Sequence, residues 1–238
     1  MATTGTFSFS PALSRLVLAS YARIGVRRTE IVVEHMKDAE FESNLLLCEW
    51  SNMQPLLWVS NLDTETLVAS TATYTMEPEV VAIQIAYIST TDAAGETHDR
   101  VISPMSTFEY HSQPNKLLES VPTAYWFDRK STPQITLWPV PDDAETYTLN
   151  MRVVRQVEDA SLANGLNVEI PYRFTTAFVD GLAARLGAVY PEKAKGALGP
   201  GFSAILDGRA QKSWDIAASQ DNERVPIYIT PAIGGYYR

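Results

Sequence analysis

Few side chains in this 238-residue chain could do chemistry, and their spacing argues against it. The nucleophile and metal-ligand candidates are Cys48, His35, His98 and His111. No HExxH pair occurs, and no histidine stands at a ligand spacing from Cys48, so the sequence offers no metal site. GxSxG, GxGxxG and GxxxxGK[ST] are also absent, which leaves no sequence case for a serine nucleophile on a strained turn or for a nucleotide. Asp142 and Asp143 could be imagined as the acid and base of a glycosidase. Those groups must face each other across a substrate at roughly 5–10 Å, which neighbours in one turn do not do. The expectation is a protein with no catalytic, cofactor-binding or metal-binding residue.

Composition narrows the class further. Hydrophobic residues make up 45% and charged residues 20% of the chain, a globular balance with enough length to bury a core. The formal net charge of −9 argues against a protein that grips nucleic acid, because that affinity rests on Lys and Arg neutralising phosphates. A single cysteine allows no internal disulfide, so stability has to come from packing. No apolar run approaches the roughly 20 residues that span a bilayer. The opening MATTGTFSFSP lacks the basic and apolar regions of a secretory signal, so synthesis in the cytoplasm of a cell is expected.

The elements fall into four sections. Residues 1–55 read as helical. Ser10 and Pro11 look like an N-cap with proline at the first helical position, Gly25 like a C-terminal stop, and Leu13, Leu16, Val17, Ser20 and Ile24 follow helical spacing between them. Thr29 is expected to open a second helix with a seam through Val32, Met36, Ala39, Ser43, Leu46, Trp50 and Met53, stopped by Pro55. Residues 56–158 change to alternation. In VVAIQIAYIS, Val81, Ile83, Ile85 and Tyr87 share one face and Val80, Ala82 and Ala86 the other, the pattern of an interior strand that turns at Asp92 and Gly95. Around PQITLWPVPDDAETYTLNMRV the pattern is strand, turn, strand. Pro139 and Pro141 end the first strand after Trp138, and Asp142 and Asp143 supply turn acceptors.

Residues 159–224 return to helix. Phe174, Phe178, Leu182, Leu186 and Val189 make an apolar stripe beside a face of small residues, Ala177, Gly181, Ala184 and Ala188, which invites close helix approach on two sides. LGPG at 198–201 interrupts the following helix. Residues 225–238, VPIYITPAIGGYYR, fit neither pattern: Pro226 and Pro231 oppose a helix, while the apolar content is high for a free linker. The fold class read from these sections is α+β, a discontinuous α-helical bundle with an inserted antiparallel β domain and an extended C-terminal arm. Ile227, Tyr228, Ile229, Ile233, Tyr236, Tyr237 and Arg238 are the expected partner-binding residues, since aromatic and aliphatic side chains supply anchor area at interfaces.

The order of YARIGV, SPMSTFEYHSQPN, VPTAYWFDRKSTPQITLWPVPDDAETYTLNM and IPYRFTTAFVDGLAARLGAVY resembles the head-to-tail adaptor proteins of short-tailed bacteriophages, over roughly residues 10–225. The resemblance implies a structural virion protein at the head–tail junction: a dodecameric ring under the portal protein, a tail nozzle or tail tube below, and genomic DNA leaving through the channel without specific binding. It implies no enzyme, no cofactor and no membrane. The alternatives are a virion-associated cell-wall hydrolase and another tail or capsid component.

Overall fold

The computed structural model describes residues 9–53, 57–91, 95–163 and 166–221. Among them it is a mixed α+β protein with six α-helices and a curled seven-stranded sheet. Helices α1 (Leu13–Arg23) and α2 (Val33–Met53) lead into strands β1 (Ser60–Thr66), β2 (Thr73–Thr75), β3 (Val80–Thr91) and β4 (Thr97–Pro104). A short helix α3 (Thr107–Ser112) precedes β5 (Ala124–Asp128), β6 (Gln134–Trp138) and β7 (Tyr147–Arg155). The chain then returns to helix in α4 (Thr175–Val189), α5 (Pro191–Leu198) and α6 (Phe202–Ala218). No described helix is long and apolar enough to cross a membrane.

Buried side chains form two clusters. One gathers residues from 13–59 and 154–217, and the other gathers residues from 67–153. At the centre of the first is α4, which packs on α1, α2, α5 and α6. Its stripe is buried at Phe174, Phe178, Leu182 and Leu186, while Val189 at the end stays 43% exposed. The expected seam of α2 is buried at Ala39, Ser43, Leu46 and Trp50; Val32 and Met53, at its ends, are about half exposed. Trp50, Trp58, Phe174 and Trp214 stack in one aromatic group, with ring centroids 4.5–5.8 Å apart. Such pairs add to their area burial through edge and offset geometry.

Helix starts differ from expectation. Helix α1 begins at Leu13, not at Pro11, because Ala12 bridges to Asn167 and the Leu13 amide donates to the Leu166 carbonyl at 3.1 Å. An orphan amide of the first turn is thus satisfied by the second half of the chain rather than by a Ser10 cap. Thr29 does not open α2. It sits in a 3₁₀ turn, Arg28–Glu30, whose Glu30 accepts from Lys193 of α5 at 2.6 Å, and α2 starts three residues later. The end of α1 is as read: the Val26 amide reaches the Tyr21 carbonyl (3.0 Å) and the Gly25 amide the Ala22 carbonyl (3.2 Å), a Schellman closure with Gly25 at φ +83°.

Sheet order is β1-β7-β3-β4-β5-β6-β2, antiparallel except for a two-residue parallel contact between β4 and β5. β3 is interior, as its composition suggests, but its faces are not those expected. Two bulges, between Val80 and Ala82 and between Ile83 and Ile85, each set an extra residue against β7. Each bulge reverses the alternation. Two reversals cancel beyond Ile85, so Ala86 and Ile88 stay on the buried face of Val80 and only Ile83, between the bulges, is brought over to it, while Ile85, opposite Arg152, is 46% exposed. β6 and β7, joined by the proline-rich turn, do not pair: β6 lies between β5 and β2, and β7 between β1 and β3. The turn carries the chain between the two halves of the curled sheet. Asp142 serves it as foreseen, accepting from the Ala144 amide (3.2 Å) and from the Tyr147 hydroxyl (2.7 Å).

Two outcomes are expected from these packing details. Gly25→Ala places a Cβ 2.4 Å from the Ala197 Cβ at a left-handed φ, whereas Gly95→Ala, at φ +85°, meets open space. Denaturant unfolding should give a loss of about 1–2 kcal/mol for Gly95→Ala, from backbone strain alone, and about 2–4 kcal/mol for Gly25→Ala, which adds overpacking. Burial and the bond to Asp142 push the Tyr147 phenol up to about 12. The neutral form is the stabilised one, so its contribution is complete below the ordinary tyrosine value near 10 and is lost as pH rises towards 12. Melting temperature should fall across that window, and less steeply in Tyr147→Phe; parallel slopes would refute the assignment.

Candidate assembly interface

The residues that could have done chemistry are scattered, and several are held in structural contacts. His35 lies between the rings of Tyr21 (5.8 Å) and Tyr190 (5.0 Å), and its Nδ1 accepts from the Val32 amide. Tyr190 donates to Asp38; burial first, and then that bond, push its phenol up to about 12. His98 sits on β4 opposite Thr90, and Cys48 is exposed on α2. His111 stands on α3 against Trp126. Among the described residues no group of three or more His, Cys, Asp or Glu side chains could hold a metal ion. Asp142, one half of the imagined acid–base pair, has its Oδ1 engaged by the turn and by Tyr147.

What the fold does assemble is a surface. The segments SPMSTFEYHSQPN and VPTAYWFDRKSTPQITLWPVPDD are knitted together: the Met105 amide donates to the Tyr125 carbonyl (2.8 Å), and the Trp138 indole to the Asn115 carbonyl (3.0 Å). The Val140 amide donates to the Leu118 carbonyl (2.8 Å), and Tyr110 stacks on Trp126 at 5.2 Å. Helix α3 is only six residues long, and a capping box holds its start: Ser106 Oγ accepts from the Glu109 amide, and Glu109 Oε2 accepts from the Ser106 amide. The STFE signature at 106–109 is the readable sequence signal for this helix, which the periodicity missed. Around it Phe108 (81%) and Leu117 (78%) point large apolar groups at solvent.

A second surface lies on the helical side. The small face of α4 is not covered along its length by another helix. Leu46 of α2 fills the space beside Gly181, while Ala184 is half-buried and Ala188 exposed. α6 meets α4 at another small residue, where the Leu206 side chain enters the space left by Gly187. α2 and α6 converge where Trp50 meets Trp214, and between them the small face floors a groove of about 370 Å³. Arg185 on its border is paired with both Glu42 and Glu49. The chain leaves the described region at this same end of α4. Asp221, buried, is gripped by Arg173, one turn before Ala177. The expected partner-binding residues Ile227, Tyr228, Ile229, Ile233, Tyr236, Tyr237 and Arg238 lie outside the described residues.

No curated protein matches the chain significantly. The family comparison does return a match, to the SU10 adaptor protein family over residues 14–226, which takes in both buried clusters and every described strand and helix, α1 from its second residue on. The resemblance carried by the order of the sequence blocks therefore stands. The chain belongs to the SU10 adaptor protein family, a family of bacteriophage structural adaptors.

Proposed function

We propose that the protein forms a ring, twelve copies in the resembling adaptors, that attaches beneath the portal protein and carries the tail nozzle or tail tube at the head–tail junction of the virion. The observation that carries this reading is the family match across residues 14–226. In this reading the chain has four sections, at 1–55, 56–158, 159–224 and 225–238; the split of the buried side chains into a helical and a β cluster supports the insertion of a β section into the helical one. In this reading the β section and the exposed apolar residues around α3 serve contacts between subunits or with the tail. Ile227, Tyr228, Ile229, Ile233, Tyr236, Tyr237 and Arg238 dock on a neighbouring subunit or on the portal. DNA passes through the channel, and a chain of net charge −9 supports passage without adhesion.

Mass measurement by light scattering, with and without purified portal, is the direct test. The expected result is a portal-bound assembly carrying adaptor in ring stoichiometry. A protein that stays monomeric beside the portal, or that forms a trimer, would refute the reading. Deleting Val225–Arg238 should abolish attachment to portal-bearing capsids. Binding of the purified protein to duplex DNA at physiological salt should be undetectable. Tight binding that weakens steeply with salt would instead reveal phosphate contacts.

A further inference from the structure

The groove over α4 has one occupant that the chain itself supplies. Its floor is Ala177, Gly181, Ala184 and Ala188, and its walls include Trp50 and Trp214, whose rings are in contact. Met53, half exposed, stands on its α2 side. Arg185 is committed to Glu42 and Glu49, so the border presents no spare cation to attract an anionic ligand. What the groove offers is mainly apolar contact above small residues, with Asp207 and Gln211 as polar neighbours.

The position and length of the remaining chain identify the partner. The Arg173–Asp221 ion pair fixes the departure point beside the Ala177 end of the floor. From Ala177 to Ala188 the floor runs about 16 Å along the helix. Residues 222–238, if extended, reach about 55 Å. They contain Ile227, Tyr228, Ile229, Ile233, Tyr236 and Tyr237, with Pro226 and Pro231 opposing a helix. Those prolines leave an extended segment as the form that can lie along the floor.

We propose that in the free subunit the segment from Ile227 to Tyr237 lies back in the groove between α2, α4 and α6 of its own chain. Its apolar side chains are then held from solvent until assembly, when a portal or neighbouring-subunit surface competes for them. This rests on the docking reading of the C-terminal segment given above and adds where the segment waits. Because the segment and the groove belong to one chain, the contact has a high effective concentration and needs no partner to form.

Thiol labelling of the free subunit tests it. In a Cys48→Ser background, Ala184→Cys and Ala188→Cys each place one thiol on the groove floor. At concentrations where the protein is monomeric, maleimide labelling of both should be at least about tenfold slower in the full chain than in the chain lacking Val225–Arg238, since the open fraction sets the rate. Cys48 of the unsubstituted chain, exposed on α2 and outside the groove, should label at the same rate with and without the segment and so reports an intact fold. Equal groove rates in the two lengths would overturn the proposal. Protection that rises with protein concentration would overturn it too, by making the occupant a second copy. Portal attachment is measured separately. Attachment without groove protection defeats only the resting place, and protection without attachment defeats only the docking reading.

Discussion

Everything in the helical half depends on how closely other elements can approach α4. That helix is the one on which α1, α2, α5 and α6 all pack, and it joins two stretches of chain separated by the whole β section. Close approach needs small residues at the contacts. Gly187 leaves the space that Leu206 occupies, and Gly181 the space that Leu46 occupies. Across the α1 contact, Ser20 donates to the Val179 carbonyl at 3.1 Å, and Arg23 pairs with Asp180. Interiors packed at crystal-like density transmit any change in such spacing. A larger side chain on α4 would therefore separate the two halves of the chain, not merely two neighbours.

The β section is tied into this core at both its ends. On the way in, Trp58 stacks on Phe174 and its indole donates to the Glu169 carbonyl. On the way out, Asn44 of α2 both donates to the Ala160 carbonyl and accepts from its amide, while Glu40 accepts from the Leu162 amide. Two polar side chains on a helix thus satisfy the backbone of the returning segment, which would otherwise be left with unpaired groups. Val154 and Ala82, on adjacent strands, turn their side chains to the helical cluster. A β section fixed at two ends keeps its outer surface in a defined place relative to the helices.

The sequence by itself determined the helical opening and close, the alternating middle section and the family. These rest on local signals: a period near 3.6 in α1, α2 and α4, alternation in β6 and β7, the proline stop after Trp138 and the glycine that closes α1. Local steric rules act within a few residues and can be read from them. What only the tertiary structure decided are the features set by distant partners. Helix α1 starts at Leu13 because residues 166 and 167 satisfy its first turn, and Thr29 sits in a 3₁₀ turn that Lys193 of α5 meets through Glu30. Ile83 joins the buried face of Val80 and Ala86 only through two bulges that exist in the pairing of β3 with β7, so the alternation of β3 by itself set it on the opposite face. The small face of α4 was legible as a place of close approach, but whether a helix or open space lies over it depends on where α2 and α6 diverge. A pattern records what a residue can tolerate, and the partner that meets it is chosen by the packing of chain hundreds of ångströms away along the unfolded backbone.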